Sequence, residues 1–157
     1  LYQTEGALPL AYLTDRTWRS ADAVDLEKQL SPGFDPYRTT VVEGNGPVLN
    51  GSGAIRPVVR TRHRPEHLSF DVGANSPSVI VVTDSWHEGW RAWVDDEETR
   101  VFRVNAMFRG VAIPAGAKRV EMRFVPRSFQ AGSAISFSAL ALLLLLGGLG
   151  IRSQRSV

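Results

Sequence analysis

Three tryptophans, Trp86, Trp90 and Trp93, fall within eight residues, among Asp84, His87, Glu88, Asp95 and Asp96. These residue types allow two chemistries. A tryptophan offers a large apolar face and one N–H donor, which suits stacking on a sugar ring. Carboxylates beside a histidine can hold a metal or move protons, and a glycosidase needs two carboxyls at a set separation across a glycosidic bond. Order along the chain does not fix that separation, and residues 95–98 also read as a solvated hairpin turn. Strand alternation puts Trp90, Ala92 and Val94 on one face and Arg91 and Trp93 on the other. Trp90 therefore reads as core, Trp86 as closing a loop, and Trp93 as the best-placed platform for a ligand. The ligand-binding candidates are Trp86, Trp93, His87 and Asp95, with no catalytic residue and no metal site assigned.

Two further groupings invite the same question. His63 and His67 stand four apart, the spacing of zinc ligands on a helix, but Pro65 lies between them and the neighbouring residues read as strands. Arg60, Arg62 and Arg64 alternate, so one strand face would carry all three. That face either meets anionic polymers or headgroups or is solvated and paired with acids such as Glu66 and Asp71. The chain has no cysteine, which removes disulfides, thiol catalysis and Cys-ligated zinc together. It carries no phosphate-cradling glycine loop, nucleophile elbow or zinc-protease helix motif, so no cofactor is expected.

These residues must be positioned by strands. The apolar residues of Leu68–Val72, Trp90–Val94 and Val120–Phe124 alternate, and Val79–Thr83 is a continuous apolar run that fits a strand buried on both faces. Further strands are expected at Leu8–Leu13 (an edge, given Pro9), Thr39–Glu43, Val58–Arg62, Arg100–Val104 and Phe108–Ile113. One short helix is expected at Asp22–Leu30, ended by Pro32-Gly33. Residues 44–53, rich in glycine and asparagine, read as a mobile loop. About nine short strands and one helix imply an all-β, antiparallel β-sandwich over residues 1–130, jelly-roll or immunoglobulin-like. Its core should contain Phe70, Ile80, Val82, Trp90, Val94, Met122 and Phe124.

A run of 21 uncharged residues, 131–151, follows. At 1.5 Å per residue such a helix spans roughly 30 Å, the thickness of a bilayer's hydrocarbon core, so it reads as a transmembrane helix. A buried helix of a soluble domain is the alternative. All 16 acidic residues and 16 of the 18 basic ones lie in residues 1–130. The module is thus neutral, the net charge of +2 comes from Arg152 and Arg155, and the balance gives no argument for nucleic acid. Those two arginines suit a basic cytoplasmic tail, 152–157, which places residues 1–130 on the extracytoplasmic side. The chain opens on Leu1, which suggests a fragment or a processed chain.

The motif Asp84-Ser85-Trp86-His87-Glu88-Gly89-Trp90-Arg91-Ala92-Trp93-Val94-Asp95 is followed by Asn105-Ala106-Met107-Phe108-Arg109-Gly110-Val111 and Ile113-Pro114-Ala115-Gly116. Then come Phe124-Val125-Pro126-Arg127-Ser128-Phe129, Gly132 and the apolar run. In this order and spacing the segments resemble the C-terminal end of bacterial YfhO-type membrane proteins, most strongly over about the last 70 residues. His87-Glu88 stands where the family has an aromatic-proline pair, and Asp96 where it has a hairpin glycine. The resemblance implies a large polytopic membrane protein of the bacterial cell membrane, related to glycosyltransferases that use lipid-phosphate sugars and linked to glycosylation of cell-envelope polymers. It further implies that the catalytic carboxylate lies in an early loop outside this chain, so no catalytic residue carries over.

Three functions follow as expectations. The chain is the non-catalytic ectodomain and last membrane helix of such a glycosyltransferase-like protein, or a membrane-anchored carbohydrate-binding module, or an interaction domain without a ligand of its own. The expected partners are the lipid bilayer, upstream membrane helices of the same protein, and a glycan or envelope polymer.

Overall fold

The computed structural model describes residues 7–20, 35, 37–126, 132 and 135–140. The chain falls into two compact units, Leu1–Phe124 and Val125–Val157. In the first, twelve strands among the described residues form two sheets. They are β1 (Ala11–Thr14), β2 (Thr17–Ser20), β3 (Thr40–Glu43), β4 (Arg56–Pro57), β5 (Val59–Arg64), β6 (His67–Asp71), β7 (Ser78–Ser85), β8 (Trp90–Val94), β9 (Glu97–Thr99), β10 (Val101–Val104), β11 (Phe108–Ile113) and β12 (Arg119–Phe124). The larger sheet runs β2-β3-β10-β11-β7-β1-β4 and the smaller β5-β6-β12-β8-β9.

The two sheets pack face to face over one core. Ala11, Leu13, Ile80, Val82, Val111 and Ile113 of the larger sheet meet Leu68, Phe70, Ala92, Val94, Val120 and Met122 of the smaller. Each large apolar side chain buried here contributes about 1.5–3 kcal/mol. Of the expected core, Phe70, Ile80, Val82, Val94 and Met122 are buried, whereas Trp90 and Phe124 are half-buried at one end of it. β7 is buried on both faces, as its unbroken apolar run demands.

The larger sheet has a second core on its other face. Only Asp15 and Arg16 separate β1 from β2, yet these strands stand sixth and first in the ladder. The sheet therefore curls until its margins approach, and Tyr12 of β1 reaches Thr40 and Asn105 across the curl. Tyr12, Val42, Val79, Val81, Phe102 and Val104 fill the interior. Gly110 belongs there because a Cβ at that position would sit 2.5 Å from Val104 Cγ1 and 2.7 Å from Phe102 Cε2.

Several expectations need correction. β2 and β3 pair in parallel, so the fold is not purely antiparallel, and its seven-plus-five strand order is neither an immunoglobulin nor an eight-stranded jelly-roll order. β1 is not an edge. Pro9 precedes it, and the strand pairs with β7 and β4 on its two sides. The glycine-rich loop is tied down. Thr17 Oγ donates to Pro47 O (2.6 Å) and accepts from Leu49 N (2.8 Å), while Gly51 N donates to Asp15 O (2.8 Å) and Gly53 N to Asp15 Oδ1 (2.8 Å). Gly53 holds φ at +77° with its Cα turned onto Arg38 O, a position only glycine fills without strain.

The expected helix at 22–30 lies outside the described residues. In the second unit Gly132 and residues 135–140 are helical, with Ile135, Phe137 and Leu140 exposed. Among the described residues no helix is long and apolar enough to cross a membrane. Most of the apolar run lies outside them.

Candidate functional site

β8 carries a tryptophan on each of its faces. The strand lies inside the smaller sheet, between β12 and the edge strand β9. Trp90 points inward, where its ring packs at 5.4 Å on Phe124 and the Arg109 guanidinium lies 3.9 Å from its centre. Arg109 is buried and ion-paired to Asp84. Asp84 stands two residues from Val82, the partner of Arg109, beside a bulge where Phe108 stands opposite Ser85 and Arg109 opposite Val82. Burial lowers the Arg109 pKa, and Asp84 opposes that shift by favouring the charged form. Arg109 shares strand parity with Val111 and Ile113, both in the main core. That parity is the sequence signal that marks it as inward-facing.

Trp93 points the other way, onto the outer face of the smaller sheet. It stands opposite Glu121 of β12 and Glu98 of β9. The guanidinium of Arg123 lies 5.3 Å from its ring centre and that of Arg91 6.0 Å. Both arginines are ion-paired, Arg91 to Glu98 at 2.5 Å and Arg123 to Glu121 at 2.9 Å. Glu121 also accepts from Arg119 at 2.5 Å and faces His67 at 3.6 Å. Burial pushes the Glu121 pKa up, but Arg123, Arg119 and His67 outweigh it and hold the carboxyl below its ordinary range. Trp93 is half-buried, with the two guanidiniums over its ring.

The other three candidates do different work. Trp86 follows β7 and donates its backbone N–H to Met107 O at 2.7 Å, with Arg103 5.2 Å over its ring. It closes a loop. His87 Nδ1 accepts from Gly89 N at 2.9 Å, and its ring meets Phe124 edge-on at 5.2 Å. Asp95 sits at φ +47° and Asp96 at φ +73°, the two left-handed positions of a tight hairpin turn. The Asp95 carboxylate accepts from the backbone of Lys118 (3.1 Å) and Arg119 (2.9 Å), pinning the β8–β9 turn to β12. The candidates are thus not one site: Trp93 lies on the outer face, and Trp86 and His87 at one end of the sandwich.

Arg60, Arg62 and Arg64 do not share a face. A bulge between Arg60 and Arg62 puts Arg60 opposite the core residue Phe70, while Arg62 stands opposite Ser69 and Arg64 opposite His67. Only the last two keep the parity of the outer face. His63 stands opposite Leu68, out of step with His67. Among the described residues no group of three or more histidine, aspartate or glutamate side chains could hold a metal ion.

A family model described as bacterial membrane protein YfhO matches residues 52–136, more than half of the chain. The chain belongs to the YfhO family. The match runs from just before β4, through the smaller sheet and both tryptophan sites, into the second unit. It makes the chain part of a bacterial membrane protein. No curated protein and no solved structure matches it.

Proposed function

We propose that this YfhO-family chain is the non-catalytic extracytoplasmic module, last membrane helix and cytoplasmic tail of a polytopic glycosyltransferase-like protein, and that the module holds a glycan or envelope polymer beside the membrane. The observation that carries the reading is Trp93, a half-buried aromatic ring on the outer face of the smaller sheet, with arginines and carboxylates beside it. Tryptophan with flanking polar groups is how proteins meet a sugar, whose faces are apolar and whose edges are hydroxyls. The carboxylates near the tryptophans have other duties. Asp84 neutralises Arg109, Asp95 holds a turn, and Glu98 and Glu121 pair with arginines. That commitment favours binding over proton transfer.

The test is an oligosaccharide array probed with the full chain in nanodiscs, as wild type and as Trp93→Ala. Retention of one glycan class, weakened at least about ten-fold by the substitution, is expected for an aromatic hot spot. Absence of any glycan binding, or equal binding by the variant, contradicts the reading. Orientation has its own test, because the chain has no cysteine. Asn45→Cys, in an exposed turn, should react with an impermeant thiol reagent on intact cells, and reaction only after lysis would place the module inside.

A further inference from the structure

Two strands across from Trp93, the outer face holds a groove of about 300 Å³ lined by Thr61, Arg62, Ser69, Asp71 and Arg119. Its floor is Ser69, 1% exposed, whose hydroxyl is buried without a hydrogen-bond partner. A buried hydroxyl left unpaired costs free energy, so a group that fills the groove and accepts from it is favoured. The walls are cationic. Arg62 stands directly opposite Ser69 and makes no ion pair among the described residues. Arg119, on the far side, is tied to Glu121 through one nitrogen, Nη2. Asp71 stands opposite Arg119 and puts negative charge at that end, which seats an anion toward Arg62 and Ser69. Trp93, Glu121, Ser69 and Arg62 lie in one row across β8, β12, β6 and β5. At about 4.8 Å per strand the ring and the serine are roughly 10 Å apart, close enough for one short oligosaccharide to touch both.

We propose that this groove is an anion subsite, in which Arg62 and the Ser69 hydroxyl, assisted by Arg119, bind a phosphate or carboxylate carried by the glycan that stacks on Trp93. The inference rests on the glycan reading above and narrows it from sugars in general to negatively charged ones. A guanidinium presents a planar fork of donors that matches the two oxygens of either group. Ser69 adds a third donor from below. A neutral sugar can accept from Ser69 but leaves Arg62 unneutralised.

The experiment uses the full chain in nanodiscs of zwitterionic lipid and a panel of matched oligosaccharide pairs. Each pair shares one backbone, and one member carries a phosphate or carboxylate where the other is neutral. The anionic member should bind about ten-fold more tightly, the increment expected of charge-assisted hydrogen bonds. Arg62→Gln and Ser69→Ala should each erode that preference while leaving affinity for the neutral member unchanged, and Trp93→Ala should weaken both members alike. Equal affinity within every pair overturns the subsite and leaves the glycan reading standing. A preference that survives both groove substitutions also overturns it, because the anion is then read elsewhere. Binding to anionic vesicles that Arg62→Gln abolishes, without glycan binding, assigns the groove to lipid headgroups and overturns the inference. Absence of binding to any pair removes the glycan reading and the subsite together. Circular dichroism of each variant separates lost binding from lost folding.

Discussion

Trp90 and Trp93 stand three residues apart on one strand, each with arginine against its ring, and they do opposite things. The guanidinium over Trp90 is buried, lies 3.9 Å from the ring centre and is neutralised by Asp84. Its contacts are made within the sandwich, where water competes poorly and the interaction is strong. The guanidiniums beside Trp93 lie 5.3 and 6.0 Å away and are half-exposed. Ion pairs there contribute little to stability. The inner tryptophan is therefore part of the fold, and in the proposed function the outer one meets the ligand. Chemistry alone does not separate the two. Strand parity does, because successive side chains of a strand go to opposite faces.

The comparison can be broken by substitution, beginning where the effect is greatest. Trp90→Ala should cost about 3 kcal/mol, the lower end for emptying a core aromatic site, since the ring is half-buried. Urea denaturation followed by circular dichroism measures it, and a loss below 1 kcal/mol would make Trp90 as dispensable as its neighbour. Asp84→Ala comes next. Removing one partner of a fully buried pair costs 3 to 5 kcal/mol, but the Asp84 side chain is 60% exposed and water can reach the vacated position. About 2 kcal/mol is expected, from the same denaturation curves. Arg109→Met should recover much of the loss when added to Asp84→Ala, because the buried charge is gone and the apolar stem remains.

The outer face responds to pH instead. The folded pKa of Glu121 is held below its unfolded value, so its contribution is fully present above the ordinary carboxylate range and disappears as pH falls through the folded pKa. For a pair this close to solvent the amount should be under about 1 kcal/mol. Comparing the acid limb of the stability–pH curve for wild type and Glu121→Gln isolates it, with a shallower limb expected for the variant. Asp15 adds to the wild-type limb with the same sign. Burial raises its pKa, but the backbone amides of Gly53 and Ser52 lower it further. Trp93→Ala should cost under about 1 kcal/mol, because its half-buried ring lies outside both cores and loses only cross-strand contacts.

Much of the fold is legible in the chain because alternation is physical. β6, β8 and β12 carry apolar residues at the period that the pleat requires, and β7 is the unbroken apolar run of a strand buried on both faces. β2, β4 and β9 read Thr-Trp-Arg-Ser, Arg-Pro and Glu-Glu-Thr. Nothing local in those segments demands a strand, and they pair because their neighbours present open edges. The curl of the larger sheet is equally silent in the sequence, since it follows from which strands meet rather than from what they contain. At the site, the outward direction of Trp93 is legible from parity. The duties of Asp95 and His87 are not, because both bind backbone amides whose positions depend on turn geometry. Ser69 shows the limit well. Its outward parity is readable between Leu68 and Phe70, but its place at the floor of a groove is not.

The most direct test of the account is one preparation of Trp93→Ala, carried by the full chain in nanodiscs, measured for both stability and glycan binding. The expected result is a folded variant that loses under about 1 kcal/mol of stability together with at least about a ten-fold loss of affinity for the retained oligosaccharide. An unfolded variant would make Trp93 a second core tryptophan. A folded variant that binds as tightly as wild type would place the glycan, if one is bound, on some other surface.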